Sequence, residues 1–231
     1  MFRSLTVNGV PKLYLNEPGN DLWIREIVFP NRRNGYFLEA GAADGIADSS
    51  CFFLEKQQGW RGICVEPHPQ FFPLLAKNRP GSIHENVCLA NESGWVDFAV
   101  CTQEGGMSPF LSGVRQALSE TKWQGSQVLA KASIERREAS TLVELLRKHC
   151  APRQIEYGAF DIEGSEFEVL RSFPFDEYRF LALSFEVDHM SGEKLANLLA
   201  SKGYHETINP FNQHCPWEKY WLHESMDSAF R

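Results

Sequence analysis

Short unbroken apolar runs alternate with segments of helical period along most of this chain. "GYFLEAG" (35–41), "RGICVEP" (61–67), "IEYGAFDIEG" (155–164) and "RFLALSFEVDH" (179–189) read as strands buried on both faces of a parallel sheet. "DSSCFFLEKQQGW" (48–60), "HPQFFPLLAKNRP" (68–80), "TLVELLRKH" (141–149), "SEFEVLRSF" (165–173) and "SGEKLANLLASKGY" (191–204) read as helices. Gly59 and Gly203 are natural helix stops, and Ser191 is a candidate cap. Pro73 must either kink its helix or delay the start. "SIHENVCLA" and "GWVDFAVCT" are further strand candidates, and "YHETIN" with "EKYWLHE" suggests a closing hairpin.

Strands alternating with helices predict a doubly wound α/β fold, mostly parallel, with an antiparallel C-terminal hairpin. The length suits a single domain over 1–231, and 43% hydrophobic residues supply a full core. Two stretches break the rhythm. Residues 1–34, interrupted by Pro11, Pro18 and Pro30, form a lead-in with one helix near Asp21–Val28. Residues 105–133 mix turn residues with isolated apolar ones and read as an irregular insert or lid.

Charge narrows the partners. A formal net charge of −7 argues against a phosphate-backbone binder, so no nucleic acid is expected. No apolar stretch approaches the roughly 20 residues that cross a bilayer, and no leader pattern opens the chain. A cytoplasmic protein without membrane contact is the expectation, with the oligomeric state left open. The six cysteines are scattered and lack a C-x-x-C pair, which predicts reduced core thiols and no zinc site. His68, His84, His205, His214 and His223 show no metal spacing and read as structural or surface residues.

The loop after the first strand carries the chemistry. Ligands of open α/β sheets sit beyond the carboxyl ends of the strands. Gly41 and Gly45 let backbone turn sharply there and approach a ligand. The spacing is G-x-x-x-G, and Glu39 and Asp44 flank it. Acids at that place repel a pyrophosphate and suit a cation or hydrogen-bond donors. Glu66, ending the second strand, stands where an acid accepts bonds from a ribose diol. A nucleoside with a cation and no phosphate is S-adenosylmethionine, so the expected class is a class I methyltransferase with a Rossmann-like fold. A nicotinamide-dependent oxidoreductase is an alternative that the missing G-x-G-x-x-G disfavours. A non-catalytic binding protein on the same fold is another, disfavoured by the intact Asp44, Glu66 and Asp161.

Two stretches also resemble a known family, the FkbM-type S-adenosylmethionine-dependent methyltransferases. "GYFLEAGAADGIADSSCFFLEKQQGWRGICVEPHPQFFPLLAKNRP" is similar to its opening strand, glycine loop, helix and Val-Glu-Pro strand end. "AFDIEGSEFEVLRSF" resembles its Asp-x-Glu-Gly-x-Glu signature. The similarity runs from about Gly35 to His189, and the lead-in and the 105–133 insert match weakly. Two departures are the Ala before Asp44, where Asn is more usual, and the lack of an acid after "TL" in "TLVELL". The resemblance implies O-methyl transfer to a hydroxyl of a small acceptor, such as a sugar, glycoside or other secondary metabolite.

Resemblance and placement together assign Glu39, Gly41, Asp44 and Gly45 to the methionine end of the cofactor, and Glu66 to the ribose. Asn86 and Val87 border the adenine, and Asp161 stands beside the transferred methyl. An alcohol needs help losing its proton, so Asp161 is the first choice of base, with Glu163 and His189 as further candidates. Glu166 belongs to the same turn, where acids also favour a helix N-terminus for dipole reasons alone. Mg²⁺ is a further cofactor these acids would suit, with Glu186 or Asp188 adding oxygens. Ser108, Ser112, Arg115 and Trp123 of the insert are the expected acceptor-binding residues, offering hydrogen bonds and one stacking face.

Overall fold

A computed structural model describes residues 2–120, 125–187 and 192–226. The chain opens with a hairpin, β1 (Arg3–Val7) and β2 (Val10–Tyr14), whose turn uses Asn8 and Gly9 at φ 50° and 78°. Such a pair of positive φ values matches the twist of the two strands. The helix α1 (Asn20–Leu22) runs on into a π-helix at Trp23–Val28. Then β3 (Tyr36–Ala40), α2 (Phe52–Gln58), β4 (Arg61–Val65), α3 (Phe72–Asn78) and β5 (Ile83–Glu85) alternate. Pro73 lies in the first turn of α3, so it delays the helix rather than kinking it.

The middle of the chain departs from that rhythm. It holds β6 (Cys88–Leu89), β7 (Gly94–Val100), β8 (Gly113–Val114), α4 (Arg115–Glu120), α5 (Gly125–Lys131) and β9 (Ser133–Ser140). The expected irregular insert therefore contains two helices. "GWVDFAVCT" is a strand as expected, but it joins a separate four-stranded sheet of order β6-β9-β7-β8. β9 has no counterpart in the sequence reading. Its "SIERREAS" is mostly solvent-facing, so no apolar run marks it.

Alternation resumes with α6 (Leu142–Lys148), β10 (Gln154–Phe160), α7 (Glu166–Arg171), β11 (Arg179–Glu186) and α8 (Gly192–Ser201). Thr141 caps α6 by accepting the Glu144 N–H at 3.2 Å. Gly203, at φ 80°, follows α8, while its expected cap Ser191 lies outside the described residues. β12 (Tyr204–Thr207) and β13 (Glu218–His223) close the chain. The main sheet has the order β12-β13-β11-β10-β3-β4-β5. It is parallel from β11 to β5, and β13 and β12 are antiparallel.

Side chains of successive strand residues point to opposite faces, which splits the core in two. Leu38, Ala40, Ile63, Val65 and Phe160 pack against α6, α7 and α8. Phe37, Cys64, Tyr157 and Ala182 pack against the π-helix, α2 and Leu75 of α3. Five cysteines are buried and free, as expected of core thiols, but Cys150 is exposed. Among the described residues, no helix is long and apolar enough to cross a membrane.

Candidate active site

β3 and β10 run side by side and end together. Ala40 pairs with Phe160, and the Asp161 N–H donates to the Ala40 carbonyl at 3.0 Å. A Cβ on Gly41 would lie 1.9 Å from the Asp161 carbonyl oxygen, and Gly41 has φ 82°. Only glycine fits there. Two cavities open at this junction, and Gly41 and Asp161 line both.

The first is a cleft open to solvent, with about 600 Å³ of empty space counting its mouth. Val87, Phe98 and Phe110 give it apolar walls, and Glu66, Glu163 and Asp161 supply carboxyls. Glu66 is buried at the end of β4. Its two oxygens accept the N–H groups of Ala43 and His68, each at 2.7 Å. Each oxygen retains a lone pair for a ligand hydroxyl. Asn86 does not line the cavity, but its amide holds the Glu66 carbonyl oxygen at 2.7 Å. His68, expected to be structural or surface, is buried, donates from Nε2 to the Cys101 carbonyl (3.0 Å) and lines this wall. Burial lowers its pKa, so the ring is neutral. The Phe71 ring lies between those of His68 and Phe110, at 4.9 and 5.1 Å.

The second cavity is a polar cleft, also open to solvent, with about 580 Å³ of empty space counting its mouth. The lead-in supplies Asn16 and Asn20, α2 begins beside Ser50, and β11 and the C-terminal segment contribute Ser184, Glu186, Trp217 and Glu218. None of these except Glu186 figured among the sequence candidates. Only a long-range fold joins residues so far apart, and no local spacing announces them.

The loop acids work mainly on the protein. Glu39 Oε1 accepts from Ser49 Oγ (2.7 Å) and from the N–H groups of Ser50 (2.8 Å) and Cys51 (3.1 Å) at the start of α2. Its other oxygen meets the buried Arg79 at 2.9 Å. Glu39 thus braces the loop, and it borders the second cavity. Asp44 Oδ1 accepts from the N–H groups of Ile46 (2.9 Å) and Ala47 (2.7 Å), an Asx turn that faces neither cavity. Gly45 has φ 79°, and a Cβ there would strike Arg79 and Leu75, so α3 demands this glycine.

The insert meets the first cavity, through Pro109–Val114, and not the second. Ser112 lines it while accepting the Cys101 N–H at 2.9 Å. Ser108 lines neither cavity. Arg115 lies on an outer groove, 3.6 Å from Asp97. Trp123, His189 and Asp188 lie outside the described residues.

Carboxyls crowd the junction. Asp161 reaches the open cleft, yet the surrounding protein raises its pKa, against a hydrogen bond from Glu186 and with added repulsion from Asp48. Burial raises Glu186 further, with the Asp161 and Glu163 charges behind it. Asp161 and Glu186 are thus hydrogen-bonded acids that titrate together, both held above their ordinary range mainly by burial. Burial, then Asp161 and Glu166, lift Glu163 well above its ordinary value. Glu163 also holds φ 53°, a strained backbone costing about 1–3 kcal/mol of the kind found at functional turns. Glu166 is buried and braces this turn by accepting the Ile162 N–H at 3.0 Å. Among the described residues, no group of three or more His, Cys, Asp or Glu is arranged to hold a metal ion.

Burial pushes Glu66 and Glu166 up to about 7 and Glu218 up to about 8. All three lie above the unfolded value of 4.5, so the folded chain holds more protons than the unfolded one. Their contribution is complete below pH 4.5 and is lost as pH rises through about 7 to 8. The Tm of the ligand-free protein is expected to fall between about pH 5 and pH 8.5. A flat or rising Tm across that range would contradict these burial effects.

The model of the family described as "Methyltransferase FkbM domain" matches residues 39–206. No curated protein matches the chain. Among solved structures, a TehB-like SAM-dependent methyltransferase from Corynebacterium glutamicum is 12% identical, with 89% of this chain and 86% of that one covered and a TM-score of 0.43. Aeropyrum pernix fibrillarin, solved with natively bound S-adenosyl-L-methionine, is 13% identical, with 96% and 82% covered and a TM-score of 0.47. Neither score is high enough to bear on the site.

Proposed function

The chain belongs to the FkbM methyltransferase family, and we propose that it moves a methyl group from S-adenosylmethionine to a hydroxyl of a small acceptor held in the second cavity. The observation that carries this reading is the meeting of a mainly apolar cleft and a polar one at Gly41 and Asp161.

The first cavity fits the cofactor chemically. Glu66 offers free lone pairs to a ribose diol, and Val87, Phe98 and Phe110 suit a purine. Among the described residues no Lys or Arg lines it, which suits a ligand without phosphate. The bare Gly41 backbone leaves room for the methionine end to pass into the junction. When bound, the cofactor supplies an electrophilic methyl on a sulfonium.

The protein's task is placement and proton removal. An acceptor oxygen must sit about 3 Å from that methyl, on line with the departing sulfur. Asp161 lines both cavities, so it can reach a hydroxyl in the second while bordering the first. The hydrogen bond from Glu186 favours the ionised form of Asp161, the form that can take a proton. The cofactor would supply the methyl, and Asp161 would take the proton from the acceptor hydroxyl.

Calorimetric titration with S-adenosylhomocysteine, with NADH as control, tests the class. Micromolar binding of the first alone is expected. Glu66→Ala should weaken it by about 1.5–3 kcal/mol, the range for hydrogen bonds to a charged group. Unchanged affinity in a folded variant removes Glu66 from the ribose. No binding by the wild type moves the protein to a non-catalytic role on this fold.

A further inference from the structure

Glu186 and Glu218 stand directly opposite each other in the antiparallel pair of β11 and β13. Like charges at opposed positions destabilise a sheet. Asp161 follows β10, the neighbour of β11 on its other side. Three carboxyls thus lie across three adjacent strands, and all line the second cavity. Folding stability does not call for this arrangement.

The other acids of that wall are already matched by cations. Arg3 lies 3.5 Å from Glu17 and 3.3 Å from Asp48, and Arg79 lies 2.9 Å from Glu39. Among the described residues, no Lys, Arg or His lines the cavity or pairs with Asp161, Glu186 or Glu218.

Glu218 is held in place by neutral groups. Asn20, 2% exposed, donates to its Oε1 at 2.6 Å. The Tyr220 hydroxyl donates to Asn20 Oδ1 at 2.9 Å. Ser50 and Ser184 hydroxyls lie 3.3 Å from the same amide nitrogen. This network fixes the carboxyl without supplying positive charge. Trp217, 42% exposed, adds an aromatic face on the cavity wall against which a ring of C–H groups can lie.

We propose that the second cavity takes a hydroxylated acceptor bearing a protonated amine, of the amino-sugar type, and that Glu218 selects for the amine. The proposal rests on the methyltransferase reading above and names its substrate class. An ammonium supplies the counter-charge the described wall lacks and brings three hydrogen-bond donors. An ammonium also favours the ionised form of these acids, whereas an acceptor bearing a carboxylate brings no counter-charge and opposes their ionisation. Asn20 is a positioning residue for Glu218.

The test uses the full chain saturated with S-adenosylhomocysteine, in EDTA so that no divalent cation bridges the acids. Glucosamine, glucose and glucuronate, three rings differing in charge, are titrated in turn by ligand-observed NMR. Glucosamine should bind at least about 10-fold tighter than glucose, and glucuronate more weakly than both. Glu218→Gln should bring glucosamine to the level of glucose while S-adenosylhomocysteine affinity stays within about two-fold. Glucuronate binding as tightly as glucosamine overturns the proposal. So does the absence of glucosamine binding up to about 50 mM, or a preference that survives Glu218→Gln. Should that variant not fold, the three-sugar comparison on the wild type decides. Failure of the wild type to bind S-adenosylhomocysteine defeats the methyltransferase reading itself, a result separate from any ranking of sugars.

Discussion

Arg79→Met is expected to destabilise the fold by about 3–5 kcal/mol, the cost of leaving buried charges without their partner. The Arg79 side chain is fully buried and meets Glu39 at 2.9 Å and Glu55 at 2.8 Å. It also donates to Ser49 Oγ at 3.1 Å and to the Gly45 carbonyl at 3.3 Å. Burial pushes the Glu55 carboxyl up, but Arg79, Ser82 and Lys56 together bring it below its ordinary value. Methionine fills much of the volume but strips Glu39 of its cation and leaves Glu55 with only Lys56 and Ser82. Glu39 is also the brace of the glycine loop, so the loss reaches the cofactor site. Urea denaturation of the variant reads the cost directly. Adding Glu39→Gln should recover part of it, because one stranded charge is removed. A loss under about 1 kcal/mol would show that water or relaxation satisfies the acids.

Asp161→Asn is expected to slow methyl transfer by about 100-fold or more while S-adenosylhomocysteine affinity stays within a few-fold. The amide keeps the size and the backbone bond to Ala40 but cannot accept the acceptor's proton. Its amide oxygen can still accept a hydrogen bond from Glu186, but it no longer carries the charge that helps raise that acid. Single-turnover rates with radiolabelled cofactor, once an acceptor is in hand, separate this from weaker binding. Wild-type turnover in the variant would exclude Asp161 as the base and turn attention to Glu163, which stands in the same turn.

The strands at the centre of the sheet were legible because burial on both faces demands unbroken apolar runs. "GYFLEAG", "RGICVEP" and "IEYGAFDIEG" meet that demand and contain β3, β4 and β10. Strands with a solvent face leave no such trace. β9 and the β1–β2 hairpin went unread for that reason, and the helices α4 and α5 bury only Leu118 and Gly125 with Val128, too few to mark an apolar face. Gly41 and Glu66 were legible because local backbone geometry and a strand end govern them. Gly45 was legible as a turn glycine, but its cause, the side chain of Arg79, was not.

By itself the sequence determined the alternating fold, the glycine loop and the acids at the strand ends, since each is set by residues within a few positions of one another. Tertiary structure alone decided what those acids face. Arg79 closes on Glu39 from 40 residues away, and Asn20 reaches Glu218 across 198. The polar cavity is walled by the lead-in and the chain's end rather than by the expected insert. Sheet order brings these segments together, and only that order determines which charges find a partner inside the protein and which do not.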